Sequence, residues 1–123
     1  MIRCVIRKKI MIIKWIKKIR DSRELKKSNW GREFNWYIEY NGKIIGELIN
    51  YKWKDMFWDT YIVKSFNEDY NQILTDSLFW DNFKYKNQYY LQYVDAFIAG
   101  GHKQNIELNE RISIRGLYLI ELK

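Results

Sequence analysis

The chain holds one histidine, His102, and one cysteine, Cys4, and that scarcity decides most of the chemistry open to it. A zinc site draws three or four ligands mainly from these types, so no such site is expected. A carboxylate-only magnesium site would need a clustered acidic motif, and the chain has none. No cofactor is expected either. Neither the phosphate-cradling P-loop pattern nor G-x-G-x-x-G occurs, and Gly100-Gly101 lacks both the spacing and a preceding parallel strand. His102 follows that glycine pair in a polar loop. A catalytic triad built on it would have to recruit Ser22, Ser28, Ser65, Ser77 or Ser113, none of which sits in a nucleophile-elbow context. A solvated loop histidine is the simpler reading, as is a spectator role for Cys4 among its basic neighbours. One carboxylate pair is worth weighing: Asp55 and Asp59 flank Trp53, Phe57 and Trp58, and acids beside aromatic rings are the raw material of a sugar hydrolase. A chain of 123 residues leaves little room for a substrate cleft, however. The competing reading is a satellite core closing one end of a sheet. No catalytic residue is assigned.

The elements that must carry these residues divide by charge. Residues 1–28 hold 11 of the 22 Lys and Arg and two of the 15 Asp and Glu, a net 11 − 2 = +9; the other 95 residues carry 11 − 13 = −2. The net charge of +7 therefore belongs to one segment, and the remainder is slightly acidic. Within the head, Ile12, Ile16 and Ile19 recur at helical spacing, flanked by Ile13 and Trp15, while Lys14, Lys17, Lys18 and Arg20 form a basic surface. This predicts a basic amphipathic helix over about Ile10–Lys27. Its three uses are packing of the isoleucine stripe on the sheet, lying on anionic lipid with Trp15 at headgroup level, and touching nucleic acid. The lysines interrupt the apolar run that a signal peptide or a membrane span would need, so neither is expected.

Residues 29–123 read as a single aromatic-rich, β-dominated domain; the whole chain has six Trp, ten Tyr and six Phe, and no Pro. Trp36–Tyr40, Asn41-Gly42 and Lys43–Ile49 make a β-hairpin with a two-residue turn. An unbroken register would set Tyr40 against Lys43, Ile38 against Ile45, Trp36 against Glu47, and Tyr37 against Gly46. A strand over Thr60–Phe66 follows, then a short helix within Asn67–Asp81 capped by Asp69. Phe83–Ala99 reads as strand with breaks near Asn87-Gln88 and Asp95, and Arg111–Leu122 as a last strand with a bulge at Gly116 and an end buried on both faces. The fold class is α+β: an antiparallel sheet of about five to six strands, an N-terminal amphipathic helix and a short mid-chain helix.

The run from Trp36 to Val63, with Asn41-Gly42, Ile45-Gly46-Glu47-Leu48 and Trp53…Met56-Phe57-Trp58…Tyr61, and the ending Arg111-Ile112-Ser113-Ile114-Arg115-Gly116-Leu117-Tyr118, resembles small uncharacterised bacterial domains. In size and style the chain is similar to the immunity proteins of bacterial polymorphic toxin systems. That resemblance implies a single cytoplasmic domain that blocks a cognate toxin by protein–protein contact, without catalysis. It departs from many such inhibitors in being basic overall. The anchors expected for a protein partner are Trp53, Phe57, Trp58, Tyr89, Tyr90 and Arg115, types that dominate interface energetics. The alternative is a nucleic-acid- or anionic-membrane-associated accessory protein that uses the basic helix, peripheral to the inner membrane in the lipid case.

Overall fold

Asn41 and Gly42 adopt φ of 48° and 79°, the two left-handed conformations that a tight hairpin turn requires. They join β1 (Trp36–Tyr40) to β2 (Lys43–Trp53). In this computed structural model, which describes residues 2–98 and 106–123 and the side chains of the first helix from Lys14 onward, the hairpin forms the centre of an antiparallel sheet. Around it lie α1 (Ile2–Lys27), β3 (Asp59–Ser65), α2 (Asn71–Thr75), β4 (Lys84–Asn87), β5 (Tyr93–Val94), β6 (Phe97–Ile98) and β7 (Arg111–Arg115). The sheet order is β5-β4-β1-β2-β3-β7-β6. The expected α+β class with an antiparallel sheet holds. The strand count does not: among the described residues there are seven strands, since both breaks expected after Phe83 occur and leave three strands there, two of them only two residues long. His102 and most of its glycine-rich loop lie outside the described residues, as does the side chain of Cys4.

β5 and β6 occupy opposite margins of the sheet, yet only Asp95 and Ala96 separate them. Three peptide steps span at most about 11 Å. The two margins must therefore lie close together, and the sheet curls almost into a barrel. The concave side takes up the core: Trp36 and Ile38 from β1, Ile45 and Leu48 from β2, Tyr61 and Val63 from β3, Tyr85 from β4 and Ile114 from β7. Leu74 of α2, and Trp80 and Phe83 around a following 3-10 turn (Ser77–Asn82), pack against the same core.

The hairpin register corrects the unbroken pairing. Tyr40 does face Lys43, but a bulge between Ile38 and Glu39 sets Ile38 against Gly46, Tyr37 against Glu47 and Trp36 against Leu48. The reason is burial. A slip of one residue turns every side chain to the other face, and the unbroken register would have placed Glu47 beside buried Trp36. The bulge puts Leu48 inward and leaves Glu47 half-exposed, where its carboxylate accepts from Gln88 Nε2 at 2.7 Å. Gly46 is glycine because β3 comes too close for anything larger: a Cβ there would strike the Lys64 carbonyl oxygen.

Other boundaries also shift. β2 continues to Trp53, so part of the expected connection is strand. The mid-chain helix is a single five-residue α-turn between two 3-10 turns. Asn67, not Asp69, caps the first of these by accepting from Asp69 N, and Asp76 caps the second by accepting from Leu78 N. After Gly116 the chain leaves the sheet: Leu117 and Leu119 are buried while Tyr118 and Ile120 are exposed, in place of burial on both faces. Of the three uses of the head, packing on the sheet is not met by Ile16. α1 starts at Ile2, and Trp15 and Ile16 are exposed at 65% and 46%. Leu25 alone, among the described side chains of α1, reaches the core.

Candidate functional site

The end of α1 sets one wall of the site. Ser28 Oγ donates to Leu25 O and accepts from Gly31 N, and Trp30 N donates to Leu25 O at 2.6 Å. Asn29, Trp30 and Gly31 all have positive φ, so the helix ends abruptly and the chain doubles back. That reversal brings Asn29 and Arg32 against the start of β3. The opposite wall is the turn between β2 and β3. Asp55 Oδ1 accepts from both Phe57 N and Trp58 N at 3.0 Å, and Trp58 O accepts from Lys54 N and Asp55 N. Asp55 is thus a turn-former, which holds Met56 and Phe57 outward.

Between these walls lies a cavity of about 700 Å³, lined by Asn29, Arg32, Tyr51, Trp53, Asp55, Met56, Phe57, Asp59, Arg115, Gly116 and Tyr118. Its floor is a closed polar ring. Arg32 Nε donates to Asp59 Oδ2 at 3.1 Å, Tyr51 OH donates to Asp59 Oδ1 at 3.0 Å, Asn29 Nδ2 donates to Tyr51 OH at 3.1 Å, and Arg32 Nη1 donates to Asn29 Oδ1 at 3.4 Å. Asp59 is buried, and an unpaired buried carboxylate would be costly; here both of its oxygens are engaged. The Tyr51 phenol is pushed up to about 12, first by burial and then by its hydrogen bond to the Asp59 carboxylate, which disfavours tyrosinate. The Arg32 guanidinium carbon also stands 4.5 Å from the Tyr118 ring centroid, a cation–π contact. Below, Tyr61 OH donates to Arg32 O at 2.6 Å, and burial raises that phenol as well.

The rim is apolar and open. Trp53, Met56 and Phe57 are exposed at 64%, 83% and 64%, beside exposed Arg115 and Tyr118. Of the six anchors read from the sequence, the structure brings Trp53, Phe57 and Arg115 together at this cavity. Trp58 is half-buried behind the turn. Tyr89 and Tyr90 lie elsewhere, packed on Phe34: Tyr89 stacks on it at 4.5 Å and Tyr90 meets it edge-on at 5.6 Å. Lys14, Lys17, Lys18 and Arg20 are all exposed on α1. Sequence reasoning missed Asn29, Arg32, Tyr51, Met56 and Tyr118. The available signal was parity: Asp59, Tyr61 and Val63 share the inward face of β3, so that face begins with a carboxylate that must find a cation.

This arrangement can hold a flat or apolar group between rings above an ordered polar floor. Both acids that flank the aromatic rings have structural partners: Asp55 accepts the backbone N–H groups of its turn, and Asp59 closes the polar ring. Among the described residues, no group of three His, Cys, Asp or Glu side chains is placed to hold a metal ion. No helix among them is long and apolar enough to cross a membrane. No family model, no curated protein and no solved structure matches the chain.

Proposed function

We propose that this chain is a non-catalytic binding protein of the immunity or inhibitor type, which acts in the bacterial cytoplasm by occluding a cognate toxin. The rim of Trp53, Met56, Phe57, Tyr118 and Arg115 is its contact surface. One observation carries the reading: three large apolar side chains stand in water around a concavity whose floor is locked by hydrogen bonds. Leaving a bulky apolar residue in water forgoes its burial free energy, roughly 1.5–3 kcal/mol each. Grouping of several such residues is a mark of an interaction site rather than of scattered surface. Trp, Tyr and Arg are also the types on which binding energy concentrates. The locked floor lowers the ordering cost of association.

The test is growth rescue. The chain is co-expressed with candidate toxins drawn from its genomic neighbourhood, alongside a Trp53→Ala/Phe57→Ala double variant that retains its near-UV circular dichroism. Rescue by the parent and failure of the variant are expected, with affinity reduced on the order of 1,000-fold, the sum of two anchors worth about 2 kcal/mol each. Undiminished rescue by the variant would remove the cavity rim from the interface. Absence of any neighbouring toxin that the parent neutralises would remove the immunity reading.

A further inference from the structure

α1 is mounted inside out. Its side facing the end of the chain is the charged one: Lys14, Lys17, Lys18 and Asp21 line a cleft of about 300 Å³ with Glu121 and Leu122. The apolar stripe faces away, and the shallow depression at Trp15 and Ile19 is lined by α1 residues alone. At about 100° per residue, Trp15, Ile16, Arg23 and Lys26 all lie within about 60° of Ile19, with Lys18 and Arg20 at about 100° on either side. The two acids, Asp21 and Glu24, fall on the far side, about 140–160° away. Lys27 lies at about 80° on the same side as Arg20, so the outward face is three apolar side chains ringed by five cations, with no acid among them. Upstream the sequence adds Arg3, Arg7, Lys8 and Lys9 to the same helix, again without an acid.

We propose that this face of α1 docks in the plane of an anionic membrane surface, with Trp15, Ile16 and Ile19 at the acyl boundary and Lys18, Arg20, Arg23 and Lys26 on lipid phosphates. The combination selects the occupant. Nucleic acid would satisfy the cations but leave the isoleucines and the tryptophan against a charged backbone; a bilayer interface takes both, and tryptophan favours that depth. Leu25 and the Ser28 hydrogen bonds fix the helix end to the domain, so docking also orients the sheet on the surface. The proposal shares no residue with the cavity rim, and either reading stands if the other fails.

The experiment is sedimentation of the full chain with vesicles of phosphatidylcholine alone and of phosphatidylcholine with roughly 30% phosphatidylglycerol, at low and at high salt. Binding to the anionic vesicles is expected at least about tenfold above that to neutral ones, weakening with salt as the charges are screened. Two variants divide the contributions: Trp15→Ser/Ile16→Ser removes apolar contact, and Arg20→Glu/Arg23→Glu reverses charge. Each should cut anionic-vesicle binding by about tenfold or more, with the circular dichroism of the sheet unchanged. Equal sedimentation with neutral and anionic vesicles, or full binding by the Trp15→Ser/Ile16→Ser variant, would overturn the proposal. So would tighter binding to a duplex DNA oligonucleotide that survives the same double substitution.

Discussion

Asp59→Asn is the perturbation that most directly questions the cavity floor. The carboxylate accepts one hydrogen bond from a guanidinium and one from a phenol, and such bonds to a charged group contribute about 1.5–3 kcal/mol each. Asparagine can keep one of the two at reduced strength. Arg32 is the more exposed partner, 23% against 10% for the Asp59 side chain, so once released it can turn to water. The expected loss is about 2–3 kcal/mol, or a fall in melting temperature on the order of 10 °C for a domain this size. Arg32→Gln should cost at least as much, since it strands the more buried charge. Urea unfolding of both single variants and the double variant closes the cycle, and a coupling energy of about 1–2 kcal/mol is expected. A coupling below about 0.5 kcal/mol, the range of solvent-screened surface pairs, would refute the view that this ring holds the site together.

Three further outcomes are expected. Asn87→Leu removes a fully buried amide that donates to Gly31 O and accepts from Tyr89 N and Tyr90 N; chemical denaturation should register a loss of about 2–4 kcal/mol. Gly46→Ala drives a methyl into the β3 backbone at Lys64, so the variant should lose about 3 kcal/mol or more, or fail to accumulate as soluble protein. The alkaline limb of stability follows from Tyr51. Its phenol is pushed from 10 to about 12 in the folded state, so below pH 10 both states are protonated and its contribution is complete. Between pH 10 and about 12 the unfolded chain ionises first and that contribution drains away, by about 1–2 kcal/mol after allowance for solvent screening. Tyr51→Phe should flatten this limb in pH-dependent urea melts, leaving the parallel losses from Tyr61 and Tyr85, whose phenols burial also raises.

What could be read from the residue string was local. Asn41-Gly42 dictates its turn through two positive φ angles, and the charge of the head is a matter of counting. What escaped depends on partners far along the chain. Arg32 and Asp59 are 27 positions apart, and Asn87 reaches back 56 to Gly31, so no window around either end announces the pairing. Asn87 in particular read as a break between strands, when its side chain is the clamp that makes the break possible. The bulge in β1–β2 was hidden for a different cause: it answers to which side of the sheet becomes interior, a fact settled only once β3 and α2 close over Gly46. The helix was legible as an element but not in its facing. Periodicity marks a stripe; it does not say whether the stripe meets protein or solvent.

The two-residue step from β5 to β6 has a last implication, for how other molecules can attach. An open sheet offers a ladder of unspent amides onto which a foreign strand can add, in recognition or in aggregation. Here each terminal strand is two residues long, and the chain itself passes from one to the other. At these two margins, among the described residues, an added strand finds a template only two residues long, which favours association through side chains.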